Sequence, residues 1–154
     1  MKSEHINPCI ESCVDTYKTM LGAVPVRNGK LEVKTGMFPV ADVMGVIGLT
    51  GKVRGAMMLG MSDVMACKTV GMFLEKEIEE VDADVLDGIG EIINIIAGAA
   101  AAKLADFKIG LGLPTVLAGK EHKMFADLNS PWIIIPMKVN DVGDFKLAIT
   151  MEEL

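Results

Sequence analysis

Two runs of β-branched residues, methionine and glycine, Val43 to Leu49 and Val53 to Leu59, stand on either side of Thr50-Gly51-Lys52. The pattern predicts two strands joined by a tight turn. Both faces of these strands are apolar, so each side of the sheet they build needs at least a partial cover. That requirement confines the chain to layered architectures. Apolar residues make up 51% of the sequence, enough to supply a core and to exclude a disordered chain. With 154 residues the expectation is a single domain spanning residues 1–154.

The flanking segments supply the covers. Asn7-Pro8 reads as a helix start, since Asn caps free N–H groups and Pro suits the first helical position. Ile10, Cys13, Tyr17, Met20 and Leu21 follow at helical spacing, with Gly22 and Pro25 as the stop. Ser62 caps a second helix carrying Cys67, Val70, Gly71 and Leu74. The acidic run from Glu75 to Asp84 is a solvated connector whose last acids suit a helix N-terminus. A long helix covers about Val85 to Ala105. Strands are expected at Pro114 to Gly119, Trp132 to Val139 and Phe145 to Met151. The fold class is therefore α+β, with helices packed on a largely antiparallel sheet. The last strand alternates cleanly and ends near Leu154, which suggests a sheet edge poorly defended against a second chain.

The order of helix, strands, helix, helix, strands raises an internal pseudo-repeat. Glu11 and Glu91 each stand near the start of a helix that precedes strands. Gly51-Lys52-Val53-Arg54-Gly55-Ala56-Met57 is similar to Gly143-Asp144-Phe145-Lys146-Leu147-Ala148-Ile149. The two offsets differ, so the second half needs an insertion, for which the polar segment Lys120 to Ser130 is the candidate.

Charge and cysteine usage narrow the function. A formal net charge of -6 argues against nucleic acid or an anionic membrane as partner. Three cysteines do not make a disulfide framework. Met1-Lys2-Ser3-Glu4-His5 opens no apolar signal segment, and Ile92 to Ala102 is well short of the ~20 residues of a membrane span. The expected address is the cytoplasm, with no membrane association.

The long helix carries the informative pattern. Val85, Ile89, Ile92, Ile93, Ile96 and Ala100 wrap most of its circumference. One polar stripe crosses that surface: Asp87, Glu91, Asn94, then Gly98. Glu91 and Asn94 are i, i+3 and so lie side by side. An otherwise apolar helix desolvates such groups at a cost unless something meets them. Asp87 and Gly98 extend the stripe as partner-binding positions, Gly98 by leaving room for another backbone. The plain alternative is the exposed edge of an amphipathic helix.

The run Asp87-Gly88-Ile89-Gly90-Glu91-Ile92-Ile93-Asn94-Ile95-Ile96-Ala97-Gly98, with Lys103 after it, resembles the signature of the CheC/CheX/FliY group of chemotaxis phosphatases. Leu113-Pro114-Thr115-Val116 with Gly119 and His122 resembles the strand that follows in that group. The resemblance implies a phosphatase acting on the aspartyl phosphate of a CheY-like response regulator. Asn94 would orient the water and Glu91 would pair with the regulator's lysine. Mg2+ would come with the regulator, and no cofactor or metal of this chain's own is expected. The alternative is a non-catalytic adaptor binding a response regulator or a flagellar switch component.

The first helix departs from the two-site members of the group. Glu11-Ser12-Cys13-Val14 keeps the glutamate but has Val14 where the asparagine should stand. One site per chain resembles CheX most, and with that resemblance comes an expected homodimer. His5, Cys9 and Cys13 follow at i, i+4, i+8, but three such positions span about 12 Å of helix, too far for one ion. They read as packing residues. His122 sits in a polar loop without a nucleophile beside it in sequence.

Overall fold

The computed structural model describes residues 2–127 and 129–154; Met1 and Leu128 lie outside the described residues. The chain opens with α1 (Ser3–Thr16), which runs on into a π-helical turn, Tyr17–Leu21. Five strands follow: β1 (Val26–Arg27), β2 (Glu32–Lys34), β3 (Gly36–Pro39), β4 (Val43–Thr50) and β5 (Val53–Met61). Then come α2 (Asp63–Leu74) and α3 (Ala83–Lys103). Five more strands close the chain: β6 (Gly110–Leu111), β7 (Thr115–Ala118), β8 (Lys123–Ala126), β9 (Trp132–Val139) and β10 (Gly143–Glu153).

The expected α+β class holds, and the pairing shows why the halves cannot be separated. Hairpin β4–β5 and hairpin β9–β10 meet through an antiparallel β5–β10 pair, with Met58 opposite Ala148. The short strands β1 and β2 of the first half pair with β9 of the second. Reciprocally, β6 and β7 of the second half pair with β4 of the first. β3 and β8 form a separate two-stranded ribbon. Each half thus runs helix and five strands, and each completes the sheet of the other. The offset between equivalent strand starts is 84 and 83 residues for β1/β6 and β2/β7 and rises to 87, 89 and 90 for β3/β8, β4/β9 and β5/β10. Most of that widening falls between β7 and β9, the stretch that holds Lys120 to Ser130.

The chain's last strand corrects an expectation. β10 lies between β5 and β9 in the middle of the sheet, so it offers no edge. Position at the end of a sequence does not determine position in a sheet, and the most apolar strands are the ones drawn to its centre.

Both faces of the sheet are covered. One face packs against the helices through Val43, Ile47, Leu59, Ile89, Ile93 and Leu147. The other buries Met44, Met58, Trp132, Ile134 and Ala148 beneath Phe38 and Ala126 of the ribbon. Methionines fill this second, irregular layer, a use their unbranched side chains suit.

Helix termini follow local chemistry with one exception. Ser62 Oγ accepts the N–H of Met65, and Asp82 Oδ1 accepts that of Val85. Helix α1, however, begins a full turn before Asn7, at Ser3, and Pro8 lies inside it. His5 and Ile6 are buried and draw that turn onto the core, while the Lys2 N–H donates to His5 Nδ1 at 3.3 Å. The carbonyl of Pro8 accepts Ser12 Oγ at 2.7 Å.

α3 is long and apolar enough, by composition, to pass for a membrane span, and half of that stretch is buried inside the fold. It is a core helix, seated by small residues. A Cβ on Gly45 of β4 would lie 3.1 Å from methyl groups of both Ile89 and Ile93. A Cβ on Gly88 would come within 2.7 and 2.8 Å of the two methyls of Val70 on α2. Gly88→Ala gains up to ~1 kcal/mol in helix propensity. Against that, Val70 is stiff and fully buried, and overpacking costs about 1–3 kcal/mol. The variant is expected to be net destabilised, seen as a lower urea midpoint at unchanged m.

Candidate functional site on the outer face of helix α3

Helix α3 meets the sheet, α1 and α2, which bury Val85, Ile89, Ile92, Ile93 and Ile96 completely. One stripe remains in contact with solvent. Asp87 and Glu91 are exposed, and Asn94 and Gly98 are half-buried. The i, i+3 spacing puts Glu91 and Asn94 about 5–6 Å apart at Cβ. Neither has a side-chain hydrogen bond or ion pair among the described residues. The four positions singled out in the sequence therefore share one accessible line.

Among the described residues, the main clefts lie away from the stripe. Clefts of about 530, 460 and 390 Å³ lie against α2 and the sheet margin, and none includes Asp87, Glu91, Asn94 or Gly98. A flat line of polar groups on a rigid helix suits a macromolecular surface better than a small molecule, which needs enclosure.

The first half is chemically different at the equivalent place. Glu11 is exposed on α1, but Val14 is half-buried and packs against the core. Lys103, at the end of α3, brings its Nζ to 3.4 Å from both Glu11 Oε2 and Asp15 Oδ2. Desolvation is the largest single effect and lowers the Lys103 pKa, but the hydrogen bonds and charges of Asp15 and Glu11 together outweigh it and hold the ammonium above its ordinary value. The carboxylate on α1 is occupied from within the chain, while Glu91 is not. Sequence reading did not pair Lys103 with Glu11, because their contact depends on how α1 and α3 cross.

The other nucleophilic and ligating side chains are structural. Cys9 and Cys13 are buried; burial pushes the Cys9 thiol up to about 12, and burial beside Cys9 pushes Cys13 higher still. Cys67 is raised by desolvation and by Asp63, Asp82 and Glu80. None of the three is poised as a thiolate nucleophile. His5 Nε2 faces Glu153 Oε1 at 3.0 Å, and its ring meets Phe107 edge-on. Among the described residues, no three His, Cys, Asp or Glu are grouped to hold a metal ion. His122 lies over Gly119 in the β7–β8 turn, where a Cβ would approach Nε2 to 3.1 Å.

Residues 43–138, a stretch that contains the whole of α3, match the family described as chemotaxis phosphatase CheX. The chain belongs to the CheX family. It is 28% identical over 157 residues to the CheY-P phosphatase CheX of Thermotoga maritima, covering 99% of this chain and 98% of that protein. The crystal structure of chemotaxis protein CheX from Desulfovibrio desulfuricans superposes with a TM-score of 0.83 at 29% identity, over 97% of this chain and 99% of the other. A CheX–CheY–BeF3–Mg2+ complex from Borrelia burgdorferi matches with a TM-score of 0.82 at 22% identity, over 97% and 98% of the two chains, and at that identity it bears on the fold alone. The family resemblance seen around Glu91 and Asn94 and the CheX fold agree.

Proposed function

We propose that this CheX-family protein hydrolyses the aspartyl phosphate of a CheY-like response regulator, with Asn94 and Glu91 of α3 as the working pair. The observation that carries the reading is the pair itself: two accessible polar side chains, one turn apart and without internal partners, on a helix otherwise given to the core. The Thermotoga relative named a CheY-P phosphatase supports the substrate class.

The chemistry needs little from this chain. Acyl phosphate hydrolysis passes through a loose transition state, so placing the water in line matters more than deprotonating it. Water oxygen bonds to phosphorus as the bond from phosphorus to the aspartyl oxygen breaks; inorganic phosphate leaves with the water's protons, and the regulator keeps its free aspartate carboxylate. A carboxamide has no useful pKa and is not a base, but it both donates to and accepts from one water. Asn94 is suited to that orientation. Glu91 meets the regulator's lysine, fixing the register of the two proteins. Mg2+ would come with the regulator, as the family resemblance implies, and would neutralise charge on the phosphoryl oxygens when bound. Asp87 and Gly98 continue the contact surface at either end of the stripe.

A homodimer accompanies this reading by family likeness, and the surface proposed for it is the two-stranded ribbon. β10 is internal, whereas the β3–β8 ribbon carries Met37 and Phe125 in register, 65% and 68% exposed. Side-by-side apolar residues on a two-stranded ribbon are a poorly defended surface. Sedimentation equilibrium at micromolar concentration is expected to give twice the 16.5 kDa chain mass; a clean monomer removes the dimer.

Two substitutions test the site. Asn94→Ala should slow release of phosphate from the phosphorylated regulator on the order of 10²-fold or more, with binding of a BeF3-activated regulator nearly unchanged. Turnover at the wild-type rate would sink the assignment and favour a binding adaptor. Glu91→Ala should weaken docking, most at low ionic strength where an exposed ion pair is least screened. Glu11→Ala should leave turnover almost untouched, because Glu11 already faces Lys103 and has Val14 beside it. Equal effects of the two glutamate substitutions would mean a second working site.

A further inference from the structure

We infer that Leu113 is the hydrophobic anchor that seats the response regulator across the Glu91–Asn94 stripe, an assignment that rests on the phosphatase reading above. At 90% exposure Leu113 is the most exposed large apolar side chain among the described residues. Its place is specific. A Cβ on Gly90 would lie 3.9 Å from Pro114, and one on Gly98 would lie 3.9 Å from the Leu111 side chain. The segment from Leu111 to Pro114 therefore runs beside α3 from Gly98 back to Gly90, flanking Asn94 and Glu91. Leu113 lies within that segment, directly before the Pro114 that approaches Gly90.

The loop is held, not loose. The Gly112 N–H donates to the Gly48 carbonyl of β4 at 3.0 Å, and Pro114 fixes its own φ immediately after Leu113. A leucine on a tethered loop loses little freedom on being buried by a partner, which is the condition for an efficient anchor. Leu111, 36% exposed, adds an apolar shoulder against α3 at Gly98. The occupant that fits is a protein presenting a lysine to Glu91 and an apolar recess next to its phosphorylated carboxylate. Such a pairing has the anatomy of a small transient interface, with a desolvated apolar centre beside a charged contact.

Leu113→Ser tests the assignment, and a side chain so exposed leaves folding unaffected. Loss of one buried leucine corresponds to a change on the order of ten- to a hundredfold in Kd. The expected result is a KM for phosphorylated regulator, and a Kd for BeF3-activated regulator, raised at least tenfold. At saturation kcat should stay within twofold, the thermal midpoint and sedimenting mass should not change, and Leu113→Met should restore most of the affinity. An unchanged KM and Kd would overturn the anchor. So would a drop in sedimenting mass, which would assign Leu113 to a contact with a second copy. If the wild-type protein releases no phosphate, the phosphatase reading falls, and the BeF3-regulator Kd still decides the role of Leu113.

Discussion

The antiparallel pair of β5 and β10 is the constraint on which the rest of the molecule hangs. It joins one hairpin from each half of the chain, and the outer strands of each hairpin are then capped by short strands from the opposite half. Eight strands result, with the most apolar segments at the centre and polar-flanked fragments at the margins. Because β7 must reach β4 and β2 must reach β9, the helices preceding them are drawn together over one face. α1 and α3 accordingly pack against each other, and α3 also rests on β4 and β7. An apolar helix enclosed on so many sides has room for polar side chains along one line only. The stripe of Asp87, Glu91 and Asn94 is therefore a consequence of the sheet topology, and it is as rigid as the core that presents it.

Much of this was legible in the residues. The central hairpin, the Ser62 and Asp82 helix starts, the extent of α3 to within a turn and the strand Trp132–Val139 follow from patterning and local hydrogen-bond chemistry. The polar stripe was legible because a carboxylate and a carboxamide at i, i+3 interrupt an apolar surface. The strands β1, β2, β3, β6 and β8 were not, since two to four residues carry no periodicity. They are strands because a hairpin from the other half of the chain pairs with them or, for β3 and β8, because they pair with each other above the sheet. The same tertiary determination placed β10 in the centre and extended α1 past Pro8, where burial of His5 and Ile6 outweighs one missing helical N–H. Lys103 and Glu11 met for a reason no linear pattern contains, the crossing of α1 over α3.

The two halves share an architecture and differ in chemistry, and the difference resides in few side chains. On α3 an accessible glutamate and asparagine stand on a helix whose neighbouring loop presents Leu113 to solvent. On α1 the corresponding glutamate faces an ammonium from the same chain, and its neighbour one turn on is a valine turned toward the core. A valine neither donates to nor accepts from water, and a carboxylate already near a cation gains less from meeting another. The first half keeps the shape of a docking helix while its charge is satisfied internally. Retaining the fold while losing the chemistry is physically inexpensive here, because β1 and β2 are needed to cover β9 whatever α1 does at its surface. The sheet requires both halves, the proposed chemistry only one, and the α1 surface is free to serve packing and solubility instead.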